Sequence, residues 1–261
     1  MQNVQNLNIF KINFDEKIKS RDREKNEIYF FINEAIMKNE EIIDIQNELQ
    51  EILHDIPHEH GFHHAMMVLS HIDKALKHVN VSKETSFAIR LAALLHDVDD
   101  HKIFTTENYA NARYLMRNIP SKISESTIEM IELVSFSKNK NSLCNEELKL
   151  YPRYADRLEA IGHVGIQRCY QYCNSIGTPM YTDKTPRFTK VEDVMKEAKS
   201  RILNYSGKSE SMMDHFYDKL LNIGDGIQTE NPYFIEERNK RMNILLSFVL
   251  EFSKNGYICL S

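Results

Sequence analysis

The sequence has no tryptophan and only a few residues of the kind that interrupt helices. Its 261 residues include 8 Gly and 6 Pro, and segments that alternate between apolar and polar residues, as strands do, are scarce. The frequent residues, among them Leu, Ile, Glu, Lys, Asn and Met, are typical of helices joined by polar loops. The composition therefore predicts an all-α protein.

Cysteine is also scarce, and its spacing excludes two kinds of site. The sequence has four cysteines, Cys144, Cys169, Cys173 and Cys259. They form no CxxC pair for zinc and lack the density of a secreted disulfide framework. A chain of this length can bury a sizeable core without disulfides or a structural metal. The cysteine usage therefore predicts a reducing, cytoplasmic location.

Long apolar runs are missing. The longest ones, around residues 91–95 and 244–250, are far too short to span a bilayer. The first 25 residues contain several acids and lack the apolar core of a signal peptide. We therefore expect neither a membrane partner nor a cleaved leader.

An excess of positive charge is absent too. The formal net charge is -5, with 33 basic and 38 acidic residues interspersed along the chain. Duplex nucleic acid needs a broad cationic face, so it is excluded as a partner. A small phosphate ester remains compatible with this balance, because a metal and one or two Lys or Arg residues are enough to bind it.

Apolar residues recur at helical spacing along most of the chain. Residues 1–53 are interpreted as an N-terminal helical extension, which leaves open whether the protein forms a homodimer through it, and residues 54–255 as the main domain. Helices are predicted near residues 60–79, 83–95, 124–136, 151–172, 190–203, 211–223 and 233–252. A long loop is predicted over residues 174–188, where turn residues and prolines concentrate.

The stretch "LAALLHDVDD", residues 91–100, leads from an apolar helix into His96 and three carboxylates. The C-terminus of a helix favours positive charge, so Asp97, Asp99 and Asp100 must be solvated there or lie near a cation. Imidazole nitrogen and carboxylate oxygen are both good ligands for divalent metals. A His-Asp pair alone is weak evidence, but an imidazole-rich helix precedes this one, in "HGFHHAMMVLSH".

Five segments in a fixed order resemble the HD-domain metal-dependent phosphohydrolases, and most of all the small bacterial nucleoside triphosphate pyrophosphohydrolases. They are "HGFHHAMMV", "LAALLHDVDDHK", "VSFSK", "YADRLEAIGHVGIQR" and "DHFYDKLL". The similarity runs from about residue 55 to 252. It implies an all-α, HD-domain-like helical bundle in which a helical His, a His-Asp pair and a later Asp converge on one metal ion.

Carried over by position, the resemblance implies four metal ligands: His64, His96, Asp97 and Asp156. His60 and His63 are alternatives for the first ligand, but the spacing of the family pattern "HDxxHxxRV" selects His64. Gly61 and Met67 stand where relatives carry Asp and Arg, so the contacts of those two side chains are not carried over.

This ligand set would leave two open positions on an octahedral ion, for a water and a substrate oxygen. Mn²⁺ is our first choice, because mixed nitrogen and oxygen ligation suits it better than Mg²⁺. Mg²⁺, Fe²⁺, Co²⁺, Ni²⁺ and Zn²⁺ are alternatives.

A metal-bound water needs a general base within hydrogen-bond reach. Asp100 is predicted to be this base, since it follows Asp97 by three residues and relatives carry an acid there. Lys102 is predicted to assist catalysis by offsetting negative charge on the phosphate. Asp99 is expected to be a solvated carboxylate and His101 a surface residue.

The resemblance suggests four substrate-binding residues: Lys138, Arg157, His215 and Lys219. For Arg157 the alternative is an ion pair with a nearby carboxylate. The possible partners are Asp97, Asp100 and Glu159. For Lys138 the alternative is a solvated loop position. By periodicity alone, His215 would be a boundary histidine and Lys219 a solvated lysine.

We therefore predict a metal-dependent phosphohydrolase that acts on a small nucleotide and cleaves a nucleoside triphosphate to the monophosphate and pyrophosphate. A 5'-nucleotidase or phosphodiesterase of the same fold is the first alternative, and a non-catalytic module that senses a nucleotide or binds a partner is the second. A third is a dinuclear HD enzyme, which would need further imidazole ligands from His71, His101 or His163. His60, His63 and His71 are otherwise expected to support the ligands or lie at the surface.

Overall fold

The computed structural model describes residues 41–54, 56 and 61–256. The chain divides into two units, residues 1–47 and residues 48–261. Of the first unit, residues 41–47 are described, and they are helical. Most of the predicted N-terminal extension, together with His60, lies outside the described residues, and the predicted domain boundary stays a prediction.

The described chain is built of helices, and no strand is found in it, which confirms the all-α prediction. Residues 41–52 are helical (α1), and eleven further α-helices follow: α2 (Phe62–Ala75), α3 (Lys83–Leu95), α4 (Ala110–Leu115), α5 (Ser121–Val134), α6 (Phe136–Asn139), α7 (Tyr151–Glu159), α8 (Gly162–Ser175), α9 (Val191–Arg201), α10 (Met212–His215), α11 (Leu221–Asp225) and α12 (Pro232–Asn255). A π-helical segment, Phe216–Leu220, joins α10 to α11. None of the described helices is both long enough and apolar enough to span a membrane.

The centre of the second unit is α3, which packs against α2, α5 and α7. It begins at Ser82, whose hydroxyl accepts a hydrogen bond from the backbone N–H of Thr85, as a helix N-cap does. Leu91, Ala92 and Leu95 are completely buried. Because these apolar residues fix the last turn of α3, the residues that follow it are held between α2 and α7.

The sequence predicted one helix over residues 151–172, and the structure shows two. Helix α7 ends at Glu159, and α8 begins at Gly162, whose φ of +74° is one that L side chains rarely adopt. A Cβ on Gly165 would lie 2.2 Å from the carbonyl oxygen of Ala160, so the start of α8 approaches the end of α7 closely. Both glycines permit a break that the apolar pattern conceals.

The last helix follows the predicted pattern with clear end signals. Helix α12 has Pro232 at its first position, and the side chain of Asn231 accepts hydrogen bonds from the N–H groups of Tyr233 and Phe234. It ends at Gly256, which has a left-handed conformation with φ of +76°, the usual way for a helix to terminate.

Candidate metal centre and adjoining cavity

Three predicted ligands from three parts of the chain meet at one point. His64 lies on α2, His96 directly follows α3, and Asp156 lies on α7. His64 Nε2 is 3.2 Å from His96 Nε2 and 3.2 Å from Asp156 Oδ1, and one ligand atom of each residue lies within 4.8 Å of the other two. Such a group can hold a metal ion, because two imidazoles and a carboxylate converge on one position.

Asp97, the fourth predicted ligand, adjoins this group. Its Oδ2 is 3.3 Å from His96 Nε2 and 3.8 Å from His64 Nε2. The four residues that the sequence pattern selected are therefore neighbours in space. That each of them binds a metal remains a prediction.

The hydrogen bonding of His96 prepares it to be a ligand. Its Nδ1 donates to the carbonyl oxygen of Ala93 at 2.9 Å, which leaves Nε2 facing the other ligands. This bond orients the ring and fixes the position of the proton, as it does in known metal sites.

The electrostatics of the group favour a cation. Burial lowers the pKa of His96, but the charges of Asp97 and Asp156 outweigh this effect and raise it to about 9. Burial also opposes ionisation of Asp156, yet its hydrogen bond with His64 and the charge of His96 lower the pKa of this carboxyl. The two carboxylates thus stabilise a positive charge at the buried His96.

A cavity of about 530 Å³ opens beside the group and is lined by His96, Asp97 and Asp156. Basic side chains from several elements also line it: Lys102, Lys138, Lys140, Arg157, Arg168 and Lys219. A cavity with a potential metal site and this many cations suits a ligand that carries several negative charges.

Asp100, the predicted general base, lines the same cavity. Helix α3 ends before Asp100, which lies in the turn that follows the helix. In this turn the N–H of Asp100 donates to the carbonyl of Asp97 at 3.1 Å. Its carboxylate accepts the backbone N–H of Lys102 at 2.9 Å, and the Lys102 ammonium lies 3.9 Å away. His101 is exposed, as expected, with 67% of its side-chain surface accessible.

The expectation that Asp99 is a solvated carboxylate is wrong. Its side chain accepts hydrogen bonds from the Thr106 hydroxyl at 2.6 Å and from the backbone N–H groups of Asn111 and Ala112 at 3.1 and 2.9 Å. These are N–H groups of the first turn of α4, which lack partners within the helix. Asp99 therefore caps α4, a helix that the sequence did not predict.

Arg157 is 2% exposed, and the predicted alternative of an ion pair is wrong. Its guanidinium donates to the backbone carbonyl of Lys140, to Asn141 Oδ1 at 2.9 Å and to the carbonyl of Gly226 at 2.9 Å. These partners take the place of the carboxylates that the sequence suggested. Burial and, to a smaller extent, the charge of Arg153 lower the pKa of Arg157 to about 10.

The remaining predicted substrate contacts lie in different surroundings. Lys138 is exposed and Lys219 half-buried, and both line the cavity. His215 is half-buried behind Tyr205, and its Nδ1 lies 3.2 Å from the Ser209 hydroxyl. Burial, together with the charge of Lys219, lowers the pKa of His215 to about 4, so this ring is neutral near pH 7. The roles of all three residues in substrate binding stay predictions.

His71 is buried in a polar network that the sequence did not reveal. Its Nε2 is 2.8 Å from Glu159 Oε1, and its Nδ1 is 2.5 Å from the Tyr233 hydroxyl. Arg241 on α12 donates to the same Glu159 oxygen at 3.1 Å. The only available signal was that Glu159 follows Asp156 by one helical turn.

A second metal ion finds little support in the described part of the chain. There, the group of His, Cys, Asp and Glu side chains that can hold an ion is the one containing His64. Of the three histidines predicted for such a site, His71 hydrogen-bonds to Glu159 and Tyr233, while His101 and His163 are exposed.

Comparison of sequences finds relatives that span most of the chain. The chain is 40% identical to the uncharacterised protein L803 of Acanthamoeba polyphaga mimivirus over 213 residues, which cover 74% of this chain and 88% of L803. It is 26% identical to YpgQ of Bacillus subtilis over 218 residues, which cover 81% of this chain and 91% of YpgQ. No family model matches the chain.

Comparison of structures finds the same fold in solved proteins. An HD-superfamily hydrolase from Bacillus thuringiensis superposes with a TM-score of 0.61 at 22% identity, covering 84% of this chain and 98% of that one. Bacillus subtilis YpgQ in complex with ADP superposes with a TM-score of 0.60 at 22% identity, covering 84% of this chain and 96% of YpgQ. The predicted HD-type helical fold is confirmed. The chain therefore belongs to one protein family with L803, and it has the fold of these solved HD-type proteins.

Proposed function

We propose that the protein is a metal-dependent phosphohydrolase acting on a small nucleotide, with cleavage of a nucleoside triphosphate to the monophosphate and pyrophosphate as its reaction. The observation that carries this proposal is the convergence of His64, His96, Asp97 and Asp156 beside a cation-lined cavity. Two related folds support it, since one is an HD-superfamily hydrolase and the other was solved with ADP.

The residues present fit a divalent metal. His96 offers Nε2 because its Nδ1 is bonded to Ala93, and the neighbouring carboxylates supply the negative charge that a divalent ion needs. We propose Mn²⁺ as the metal, which, when bound, would acidify a water molecule and polarise a phosphoryl oxygen.

Residues of this chain would perform the other steps. The Asp100 carboxylate would take the proton of the attacking water, and Lys102 would offset the negative charge that develops on the phosphate. Lys138 and Lys219 would bind the phosphate oxygens and stabilise the charge that develops on them. With basic residues on several sides, a cavity of about 530 Å³ can take more than one phosphate group, which favours a triphosphate over a monophosphate.

The test is a panel of ribonucleoside and deoxyribonucleoside mono-, di- and triphosphates incubated with Mn²⁺, Mg²⁺, Co²⁺, Ni²⁺ or Zn²⁺. Pyrophosphate and orthophosphate are measured separately. We expect pyrophosphate from one or more triphosphates. Orthophosphate released from the monophosphates, without pyrophosphate from any triphosphate, would indicate a 5'-nucleotidase, and release of neither product would show that the proposed function is wrong.

A matched pair of variants tests whether the activity depends on the metal centre. Asp156→Asn removes one ligand charge, whereas Asp183→Asn makes the same change at an exposed position in the loop before α9. We expect the first variant to lose activity at least about a hundredfold and the second to retain it.

A further inference from the structure

Lys140 has a backbone conformation that is unfavourable for its residue type. Its φ is +50° and its ψ is -127°, in a region that residues other than glycine rarely adopt. The sequence around it, "SKNKNS", resembles any polar connection and gives no sign of this conformation. Residues held in such conformations cluster at functional sites, where the surrounding structure maintains them.

Arg157 bonds to this segment, in addition to the bond from the Lys140 N–H to the carbonyl of Phe136 at 2.8 Å. This buried guanidinium donates to the carbonyl oxygen of Lys140 itself and also to Asn141 Oδ1. A third bond, to the carbonyl of Gly226 at 2.9 Å, fixes the guanidinium from the opposite chain segment. A Cβ on Gly226 would lie 2.4 Å from Arg157 Nη1, so the absence of a side chain there is what allows this close contact.

The side chain of Lys140 lies at the cavity that adjoins the metal centre. Its Nζ is 5.6 Å from the ring centroid of Phe136 and 5.9 Å from that of Tyr205. Both rings line the cavity, as does Lys140. Two aromatic rings attract an ammonium without neutralising its charge, so they orient this cation and leave it able to bind an anion.

Lys140 and Lys102 differ in their charged neighbours. The Lys102 ammonium lies 3.9 Å from the Asp100 carboxylate, whereas no carboxylate forms an ion pair with Lys140 within the described part of the chain. An unneutralised ammonium at a cavity that holds a potential metal site is well placed to contact a phosphate.

We propose that Lys140 binds a phosphate group of the nucleotide, and that Arg157 is a positioning residue that holds the Lys140 backbone and does not itself contact the substrate. This inference rests on the proposed function for the identity of the anion. It assigns a substrate contact that the sequence did not suggest and gives Arg157 a different role from the predicted one.

Variants of Lys140 separate the backbone from the charge. Lys140→Gly relieves the unfavourable φ and removes the ammonium, Lys140→Met removes the ammonium alone, and Lys140→Arg keeps a cation. Asn108→Gly is the matched control, since Asn108 also has a positive φ, of 55°, and is exposed.

We expect both glycine variants to raise the melting temperature. Lys140→Gly and Lys140→Met should both raise KM for the nucleotide about tenfold with little change in kcat. Lys140→Arg should keep KM near the wild-type value, and Asn108→Gly should leave KM unchanged. Binding of inorganic pyrophosphate to the Mn²⁺-loaded protein, measured by calorimetry, should weaken by a similar factor in the Gly and Met variants.

A double-mutant cycle tests the role of Arg157. If Arg157 acts only through Lys140, Arg157→Lys should raise KM in the wild-type background and add nothing in the Lys140→Met background. Additive increases in KM would show that Arg157 contacts the substrate and would overturn its assignment.

Two different results would overturn the role of Lys140 and the proposed function. An active wild type whose KM and pyrophosphate affinity are unchanged by Lys140→Met would overturn the role of Lys140. A wild type that hydrolyses no nucleotide, while Lys140→Met still weakens pyrophosphate binding, would overturn the function and leave the anion contact in place.

Discussion

Asp99 and Asp100 are adjacent carboxylates with different surroundings. Asp99 accepts three hydrogen bonds that hold the start of α4, whereas Asp100 accepts one backbone N–H and faces the cavity. At the residue scale, therefore, Asp99 stabilises the fold, whereas Asp100 lies at the cavity, where we propose that it takes a proton.

Asp100→Asn keeps the size of the side chain and removes its capacity to take a proton. We expect kcat to fall by about 10²–10⁴, while the protein still binds its metal. Steady-state kinetics with a parallel metal analysis measure both quantities. An unchanged kcat would show that another group is the base.

Asp99→Ala should have the opposite profile. Loss of the cap on α4 is expected to lower the free energy of unfolding by about 1–2 kcal/mol, measured by urea denaturation, with kcat retained. The paired results distinguish the two residues, and a large loss of activity without a loss of stability in this variant would contradict the assignment.

The low pKa of His215 predicts that the free energy of unfolding depends on pH. Its pKa is about 4 in the folded protein, against an ordinary value of 6.5, because the ring is buried and faces Lys219. Between these values the unfolded chain binds a proton that the folded chain does not, so stability decreases as the pH falls from 6.5 to 4. At higher pH this contribution no longer changes.

The slope attributable to His215 has an upper limit of about 1.4 kcal/mol per pH unit. His215→Asn should show a correspondingly smaller loss of stability between pH 6.5 and 4 than the wild type, measured by urea denaturation at several pH values. Equal slopes in the two proteins would contradict the low pKa.

At the scale of elements, α2 and α7 are joined by more than the candidate ligands. His71 follows His64 by seven residues on α2, and Glu159 follows Asp156 by three on α7. The buried bond between His71 and Glu159, 2.8 Å long, therefore holds the two helices together one to two turns beyond the metal centre.

Glu159→Ala should disturb both stability and the metal centre. It leaves a buried imidazole and the guanidinium of Arg241 without their shared partner, which costs about 3 kcal/mol, and it frees α7 to shift relative to α2. We expect weaker Mn²⁺ binding as well, measured by calorimetry.

Glu237→Ala is the matched control, because Glu237 also pairs with Arg241, at 3.1 Å, but lies nearer the surface with 20% of its side chain exposed. Its loss should cost at most about 1 kcal/mol and leave Mn²⁺ binding unchanged. Equal effects of the two variants would show that the bond between His71 and Glu159 contributes neither to stability nor to metal binding.

Helix α3 and the α7–α8 pair show what the sequence can predict about elements. The predicted bounds of α3, residues 83–95, match the structure, because an N-cap serine and a dense apolar run mark it. The break between α7 and α8 was missed, since Gly162 and Gly165 lie inside a continuous helical pattern. Their effect depends on the close approach to Ala160 and Arg241, which no local pattern contains.

At the scale of the whole molecule, the candidate ligands come from α2, from the turn after α3 and from α7. Their identity was predictable because the His, His-Asp and Asp motifs resemble a known family in order and spacing. The wall of the cavity was less predictable. Lys140 lies outside the five segments that resemble the family, and only the packing of distant helices brings it to the cavity near Asp156.

The most direct test of the account is the metal content of the purified protein. After equilibration with Mn²⁺ and removal of unbound ion, we expect the wild type and Asp183→Ala to retain about one ion per chain, measured by mass spectrometry of the elements. Asp156→Ala and His64→Ala should retain less than about a tenth of that amount. A wild type that binds no divalent metal, or an Asp156→Ala variant that binds as much as the wild type, would contradict the account.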